Sequence, residues 1–432
     1  MQAPEQSTSG PALSRRQFLA ASAAGAAALL GGCATDPVTG RKQLVLMSEA
    51  GEIQADQQNA PHQISADYGP VQLAPVNRYL TGVGDSLADV SHRPAMPYSF
   101  RGVNAVYVNA YAFPGGSIAV TRGLLASLES EAELAALLGH EIGHVCARHA
   151  AERATSGMLA SLAVTGLAVA VQQKYERYGD LTAGLGMVFA GGLLAYYSRS
   201  DEREADSLSL LYMTRAGYNP QGCVDLMDRL RGLSKSKPSA LEMLFATHPM
   251  SEERYQTALN EVNTTYANAR SLPMRRERYL DQTAPLRAQQ GALDQMQSGE
   301  SALQKGKFDE AAGAFQAALR LAPDDYAGLL LLARCRLMQK QAAEAERLAA
   351  AAQQAYPGEP QAVFLAGMAR IQRKAFEPAF QDFSRYESLL QGNPNTLFFR
   401  GFCREGQGNR QAAADFYAKY IAQVDSGDNA RH

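Results

Sequence analysis

The sequence predicts a mainly α chain in two parts: an α+β domain with a small β-sheet, followed by an α-solenoid of paired helices. Three observations carry this. His140-Glu141-Ile142-Gly143-His144 sits inside a stretch of helical apolar periodicity. Short alternating runs flank the turn residues Pro114-Gly115-Gly116. Beyond residue 291, alanines recur in steps of 34. The chain has 432 residues, too many for one ordinary domain. The expected division is residues 1–32 as an export signal, 33–290 as the α+β domain with a helical connection, and 291–425 as the solenoid. With 41 basic against 43 acidic residues, nothing points to nucleic acid or to a polybasic membrane patch.

The signal segment comes first in the chain. Ser14-Arg15-Arg16-Gln17-Phe18-Leu19 has the form of a twin-arginine signal, and an apolar stretch from Phe18 to Leu30 follows. A general secretory route with an incidental arginine pair is the alternative. Leu30-Gly31-Gly32-Cys33 resembles a bacterial lipobox. That similarity implies cleavage before Cys33, acylation of Cys33 and a lipid anchor in the membrane. Ala34 rather than Asp follows the cysteine, which points to the periplasmic face of the outer membrane.

The small sheet is expected from residues 106–108 and 118–120, which alternate like strands on either side of the turn. A strand edge beside a metal site can hydrogen-bond an extended peptide without strict side-chain selection. A plain core hairpin is the competing reading.

The histidine motif lies on a helix expected to run from Ser130 through Arg148. Ser130 with Glu133 reads as a capping box, and Leu134, Leu137, Leu138 and Val145 form the apolar stripe. Residues four apart stand one turn above each other, so His140 and His144 can grip one metal ion. Glu141 lies about 100° round the helix, near enough to take a proton from a water on that ion. This is the constellation of zinc-assisted hydrolysis. Gly139 and Gly143 leave a bare strip suited to close approach of another backbone. His149, about 180° from His140 on the wheel, is expected outside the ligand ring.

A hydrolytic zinc site needs a third protein ligand and one open position. The candidate segment is Ser198-Arg199-Ser200-Asp201-Glu202-Arg203-Glu204-Ala205-Asp206, opening a helix that stops at Ala216-Gly217 before Pro220. Glu202 and Asp206 share a face, and Glu204 points away. One carboxylate can bind the metal while the other holds a ligand histidine from outside by a hydrogen bond.

Residues 157–171 and 181–197 are apolar, but each falls short of the roughly 20 residues a bilayer core requires. Two buried helices packed around the site are expected, with a shallow membrane-facing hairpin as the alternative. Besides Cys33 there are four cysteines. Cys335 and Cys403 hold one repeat position two units apart, beyond the roughly 7 Å reach of a disulfide, and are expected as free buried thiols. Pairing of Cys146 with Cys223 stays open.

In the solenoid, Ala311, Ala345, Ala379 and Ala413 keep the 34-residue step, as do Gly306, Lys340, Lys374 and Gly408. Phe315, Phe383 and Tyr417 share another column, broken by Ala349. The four units resemble tetratricopeptide repeats, whose helix pairs bury their apolar faces only by stacking and which bind extended segments or partner proteins.

The run Val108-Asn109-Ala110-Tyr111-Ala112-Phe113-Pro114-Gly115-Gly116, then Thr121-Arg122-Gly123-Leu124-Leu125, the histidine motif and the segment from Ser198 to Asp206 together resemble the HtpX/CAAX-prenyl-protease-like zinc metallopeptidases. The resemblance covers roughly residues 40–260 and implies a gluzincin-type site. In it His140, His144 and Glu202 bind one Zn2+, Glu141 is the general base and Asp206 matches the family Asp. Thr247-His248-Pro249 with Arg254 matches a further family element. His248 would there either stabilise the oxyanion or act as a fourth ligand. Members that join this domain to repeats imply an envelope protein-quality-control metalloendopeptidase. Its substrates would be misfolded or stalled outer-membrane proteins, and its repeats would contact the outer-membrane assembly machinery. The competing class is a periplasmic chaperone or scaffold with a latent metal site.

Overall fold

The computed structural model describes residues 33–163 and 197–424 together with Asn429. The export signal and residues 164–196, which hold most of the two apolar runs, lie outside the described residues. Among the described residues, no helix is long and apolar enough to cross a membrane.

The chain starts with an antiparallel hairpin, β1 (Cys33–Thr35) with β2 (Lys42–Leu44), followed by helices α1 (Glu49–Ala66) and α2 (Ala74–Ala88). Strands β3 (Ser99–Val103), β4 (Ala110–Ala112) and β5 (Ser117–Thr121) form one sheet in the order β3-β5-β4. Strand β5 runs parallel to β3 and antiparallel to β4, with Phe100 opposite Ile118 and Tyr111 opposite Ala119. Pro114-Gly115-Gly116 is the β4–β5 turn as expected, with Gly116 at φ +103.

One strand lies elsewhere than expected. Residues 106–108 are not in the sheet; β4 starts at Ala110 and β3 was not foreseen. The backbone of 106–108 finds partners outside the sheet. Val108 N–H donates to Ala240 O at 2.8 Å, and Gln297 Nε2 donates to Val106 O at 2.7 Å.

Helix α3 (Arg122–Ser127) leads to α4 (Glu131–Cys146), whose 16 residues are all buried. Such a helix is the centre of its domain rather than a face of it. Ser130 caps it by accepting from Glu133 N–H at 3.2 Å, but the Glu133 carboxylate turns to Glu129 N–H and Arg229, so the box is half closed. The helix stops two residues short of Arg148. Arg148 adopts a left-handed φ of +60, its guanidinium pairs with buried Glu52, and α5 (His149–Ala163) sets off in a new direction. Next come α6 (Arg199–Arg215), α7 (Gln221–Ser236), α8 (Glu242–Thr247), α9 (Glu252–Asn263) and α10 (Arg276–Arg287). The last two lie between α8 and the helices that follow.

Eight further helices follow as four antiparallel pairs: α11 (Gln290–Gln304) with α12 (Phe308–Leu321), α13 (Tyr326–Met338) with α14 (Ala342–Ala355), α15 (Gln361–Gln372) with α16 (Phe376–Leu389), and α17 (Pro394–Gly406) with α18 (Arg410–Ile421). The periodic residues have separate physical jobs. Gly306, Lys340, Lys374 and Gly408 all take left-handed φ, between +59 and +79, at the turn inside each pair. Each phenyl ring of the aromatic column fills the space left by a glycine on the partner helix. A Cβ on Gly299 would lie 2.4 Å from Phe315, and one on Gly367 would lie 2.8 Å from Phe383. Where the column carries Ala349, the glycine position is taken by Ala333, so a small pair replaces a large-and-absent one.

The two parts share one hydrophobic core running from Leu80 to Ala369. Polar ties cross the seam as well. Arg122 grips Asp325 with two hydrogen bonds of 2.6 and 2.9 Å, Ser65 donates to Glu359, and Gln72 donates to Ala355 O at 3.1 Å. Cys146, Cys223, Cys335 and Cys403 are all free and buried.

Candidate metal centre

His140 and His144 project from the last two turns of α4, and Glu202 and Asp206 from the first turns of α6. The two helices touch backbone to backbone along the predicted glycine strip. A Cβ on Gly143 would meet Ala205 Cα at 3.2 Å, and one on Gly139 would meet Ser209 Cα at 3.3 Å. Ser198 and Asp201 close a full capping box at the start of α6, and Ser209 Oγ donates to Ala136 O at 2.7 Å. This contact brings the donor atoms together. His140 Nε2 is 3.1 Å from His144 Nε2, His144 Nε2 is 3.3 Å from Glu202 Oε1, and His140 Nε2 is 3.7 Å from Glu202 Oε2. His248, at the end of α8, completes a buried group of four whose donor atoms lie within 4.8 Å of one another.

The outer hydrogen bonds say which atoms carry protons. Burial pushes the Asp206 pKa up, but hydrogen bonds from Arg254 and His140 outweigh it and hold the group below the usual carboxylate range. A neutral His140 that donates from Nδ1 to Asp206 Oδ1, 3.1 Å away, presents the Nε2 lone pair. His144 Nδ1 meets His149 Nδ1 at 2.8 Å, and His149 Nε2 lies 3.4 Å from Glu204 Oε2. A carboxylate accepts from His149 Nε2–H, which leaves His149 Nδ1 to accept from His144. His144 Nε2 then also presents a lone pair. Two lone pairs and a carboxylate facing one another repel unless a cation lies between them.

Their spacing fits that cation. Tetrahedral zinc with bonds of 2.0–2.1 Å separates its ligand atoms by about 3.3 Å, and the three gaps bracket this. The donor set of two imidazoles and one carboxylate is also a catalytic zinc set. His149 does lie outside the ligand ring, but not by the wheel argument. The chain reverses at Arg148 and brings it back behind His144. Glu204 points away from the donor atoms as expected and ends the relay.

Burial lowers the His144 pKa, which favours the neutral imidazole a metal needs. Burial alone would raise the Glu202 pKa, yet the nearby imidazoles, His248 first, hold it far below its ordinary value. For Glu141 burial prevails over the attraction of His248 and His140, and the pKa rises. Its Oε2 is buried without a hydrogen-bond partner. A base held at raised pKa with one oxygen uncommitted is suited to taking a proton. His248 donates from Nδ1 to Glu202 Oε1 at 3.0 Å, and its Nε2 lies 3.9 Å from Glu141 Oε1.

One residue of the site, Arg254, was named beside His248 without a role, and another, Tyr197, was missed. Arg254 spans Asp206 and Glu202, reaching Glu202 Oε2 at 2.5 Å. Tyr197 stacks on His144, with ring centroids 3.7 Å apart and planes at 15°. Arg254 was marked by its place after His248, whereas Tyr197 closes an apolar run and carried no signal.

Residues 75–262 match the family described as Peptidase family M48, and residues 296–360 match the tetratricopeptide repeat. The chain is 30% identical over 192 residues to a beta-barrel assembly-enhancing protease of Yersinia pestis, covering 44% of this chain and 39% of that one. The protein of that name from Escherichia coli K12 is 26% identical over 294 residues, 62% of this chain and 60% of its own length. A mitochondrial metalloendopeptidase, OMA1, of Arabidopsis thaliana is 34% identical over 167 residues, 39% of this chain and 32% of its own. The chain thus spans between about one third and three fifths of these relatives. Fold, site and similarities agree that the chain joins a peptidase family M48 domain to tetratricopeptide repeats.

Proposed function

We propose that the protein is a zinc-dependent metalloendopeptidase of the bacterial cell envelope. It would degrade misfolded or stalled outer-membrane proteins and assist their assembly. The single observation that carries the reading is the pair of imidazole Nε2 atoms, 3.1 Å apart, beside Glu202 and the uncommitted carboxylate oxygen of Glu141. His140, His144 and Glu202 hold the metal. When bound, zinc polarises the scissile carbonyl and acidifies a water. Glu141 takes the proton from that water and delivers it to the leaving amine. Asp206, His149 and Arg254 fix the orientation of the ligands. The repeats supply partner or client contacts, and acylated Cys33 anchors the chain in the periplasm at the outer membrane.

His248 has two readings, each with an observation behind it. Its pKa is lowered by burial but raised more by Glu202 and Glu141, so it can hold a proton for a developing oxyanion. Its place among the four clustered donors equally suits a fourth ligand that closes the site. His248→Ala lowers turnover in the first case and raises it in the second.

The test of the main reading is zinc content together with cleavage of casein or an unfolded porin by wild type and Glu141→Gln. The expected outcome is equal zinc and a 10²–10⁴-fold loss of cleavage in the variant. Cleavage that survives in the variant, or in chelator, removes the mechanism. If the variant still rescues envelope clients, the chaperone or scaffold reading replaces it.

A further inference from the structure

We propose that the outward face of the β1–β2 hairpin rests on an anionic lipid surface and fixes how the peptidase domain stands on the membrane. This rests on the envelope reading, in which Cys33 is acylated, and adds an orientation to it. Extended residues alternate between two faces, and the inward face here is ordinary. Val45 is buried and Gln43 half-buried, while Lys42, Leu44 and Leu46 point outward. Both leucines are 37% exposed. Among the described residues the other exposed large apolar side chains are Leu321, Leu389 and Ile421, each alone at the end of a solenoid helix. Single leucines on a surface need no explanation, but two at consecutive outward positions do. They stand beside the proposed anchor, since Cys33 lies opposite Leu44 in the register.

The same hairpin is basic. Arg41 and Lys42 are exposed, and Lys42 Nζ donates to the Thr35 hydroxyl at 3.4 Å rather than to a carboxylate. Asp36, the one acid between residues 33 and 46, is turned inward and accepts from Val38 N–H and the Thr39 hydroxyl. A lipid surface carrying phosphate offers apolar depth for the leucines and negative charge for the two cations. A second copy docked here by two-fold symmetry would set cations against cations. The hairpin is also firmly seated, so its contact orients the whole domain. Gln43 Nε2 donates to Ala147 O at 3.2 Å and to Glu152 Oε2 at 3.0 Å. Leu46 N–H donates to Thr155 Oγ1 at 3.0 Å, and Arg148 Nη2 donates to Met47 O at 2.6 Å. Ala147 and Arg148 belong to the reversal that carries His149 behind His144. An acyl tether alone holds a point and leaves the body free to swivel. A second contact beside the tether acts at high effective concentration, so even a weak one sets the angle. The metal centre is then held at a fixed height and tilt over the lipid.

The experiment separates the face from the anchor by using the full mature chain with Cys33→Ser, which carries no lipid. Its binding to vesicles of phosphatidylethanolamine and phosphatidylglycerol is measured by co-sedimentation at low salt. Binding is expected to weaken about tenfold in Leu44→Asp/Leu46→Asp and about tenfold in Arg41→Gln/Lys42→Gln, the second variant also losing most of its salt dependence. All four positions are exposed, so the fold is kept. An environment-sensitive dye on Leu46→Cys shifts to the blue on vesicles, and one on Lys305→Cys in the solenoid does not. The thiols of Cys146, Cys223, Cys335 and Cys403 are buried and stay unlabelled. Equal binding by the parent and both variants, equal binding to phosphatidylcholine vesicles, or a blue shift at both dye positions overturns the proposal. So does a parent dimer that the leucine substitutions split, which makes a second copy the occupant. Acylation is read separately, from palmitate incorporation by wild type. If none is found, the anchor reading fails, and the vesicle result still decides the face.

Discussion

Arg254 holds Asp206 through two parallel hydrogen bonds, Nε to Oδ2 and Nη2 to Oδ1, each 2.7 Å long. Its remaining nitrogen, Nη1, lies 2.5 Å from Glu202. One guanidinium thus positions both a proposed ligand and the carboxylate that orients His140. Arg254→Lys keeps the charge but loses the fork. Zinc affinity, read by chelator competition, is expected to fall about 10–100-fold. Unchanged affinity would reduce the pair to packing.

His149 supports the other imidazole. Replacement by Phe removes the acceptor for His144 Nδ1–H and is expected to weaken zinc binding by about tenfold or more. Replacement by Gln leaves an acceptor oxygen and recovers most of the affinity. If Phe and Gln behave alike, the relay to Glu204 has no role.

The seam between the two parts rests on a buried ion pair. Arg122 and Asp325 are each under 10% exposed at the side chain. Arg122→Ala strands the carboxylate and is expected to cost about 3–5 kcal/mol in urea melts. Replacing both residues with Met and Leu should recover most of that, because a well-packed apolar pair avoids the desolvation of two charges.

Glu359 is buried against Ser65 across the same seam, and burial pushes its pKa up to about 7. An unfolded glutamate titrates near about 4.3, so between these values the folded chain holds more protons than the unfolded one. Its contribution is therefore favourable at low pH and is lost as pH rises towards 7. Wild type compared with Glu359→Gln should diverge in stability from pH 5 to pH 8 by roughly 3 kcal/mol, the variant being the more stable at pH 8. A constant difference across that range would show that the carboxyl does not change its charge on folding.

Much of the site could be read because its logic is local. The four-residue spacing of His140 and His144, and of Glu202 and Asp206, follows from helix geometry, and the glycine strip on α4 announced the approach of α6. The repeats were legible for the same reason, since one turn geometry recurs at Gly306, Lys340, Lys374 and Gly408. What failed was non-local. Residues 106–108 have the alternation of a strand, but their backbone pairs with Ala240 and Gln297, far along the chain. The wheel drawn through His149 assumed a helix that in fact stops at Cys146 and turns at Arg148; an arginine in left-handed conformation gives no warning in sequence. Tyr197 acts through a ring contact that no spacing rule encodes.

The fastening of residues 106–108 has a mechanical consequence. Gln297 of the first repeat helix holds the carbonyl of Val106, and this stretch leads directly into β4 beside the histidines. A tug on the solenoid would reach that strand through this side chain as well as through the shared core, with no slack segment to absorb it. Load taken up by the repeats would thus be felt where a polypeptide is to be aligned.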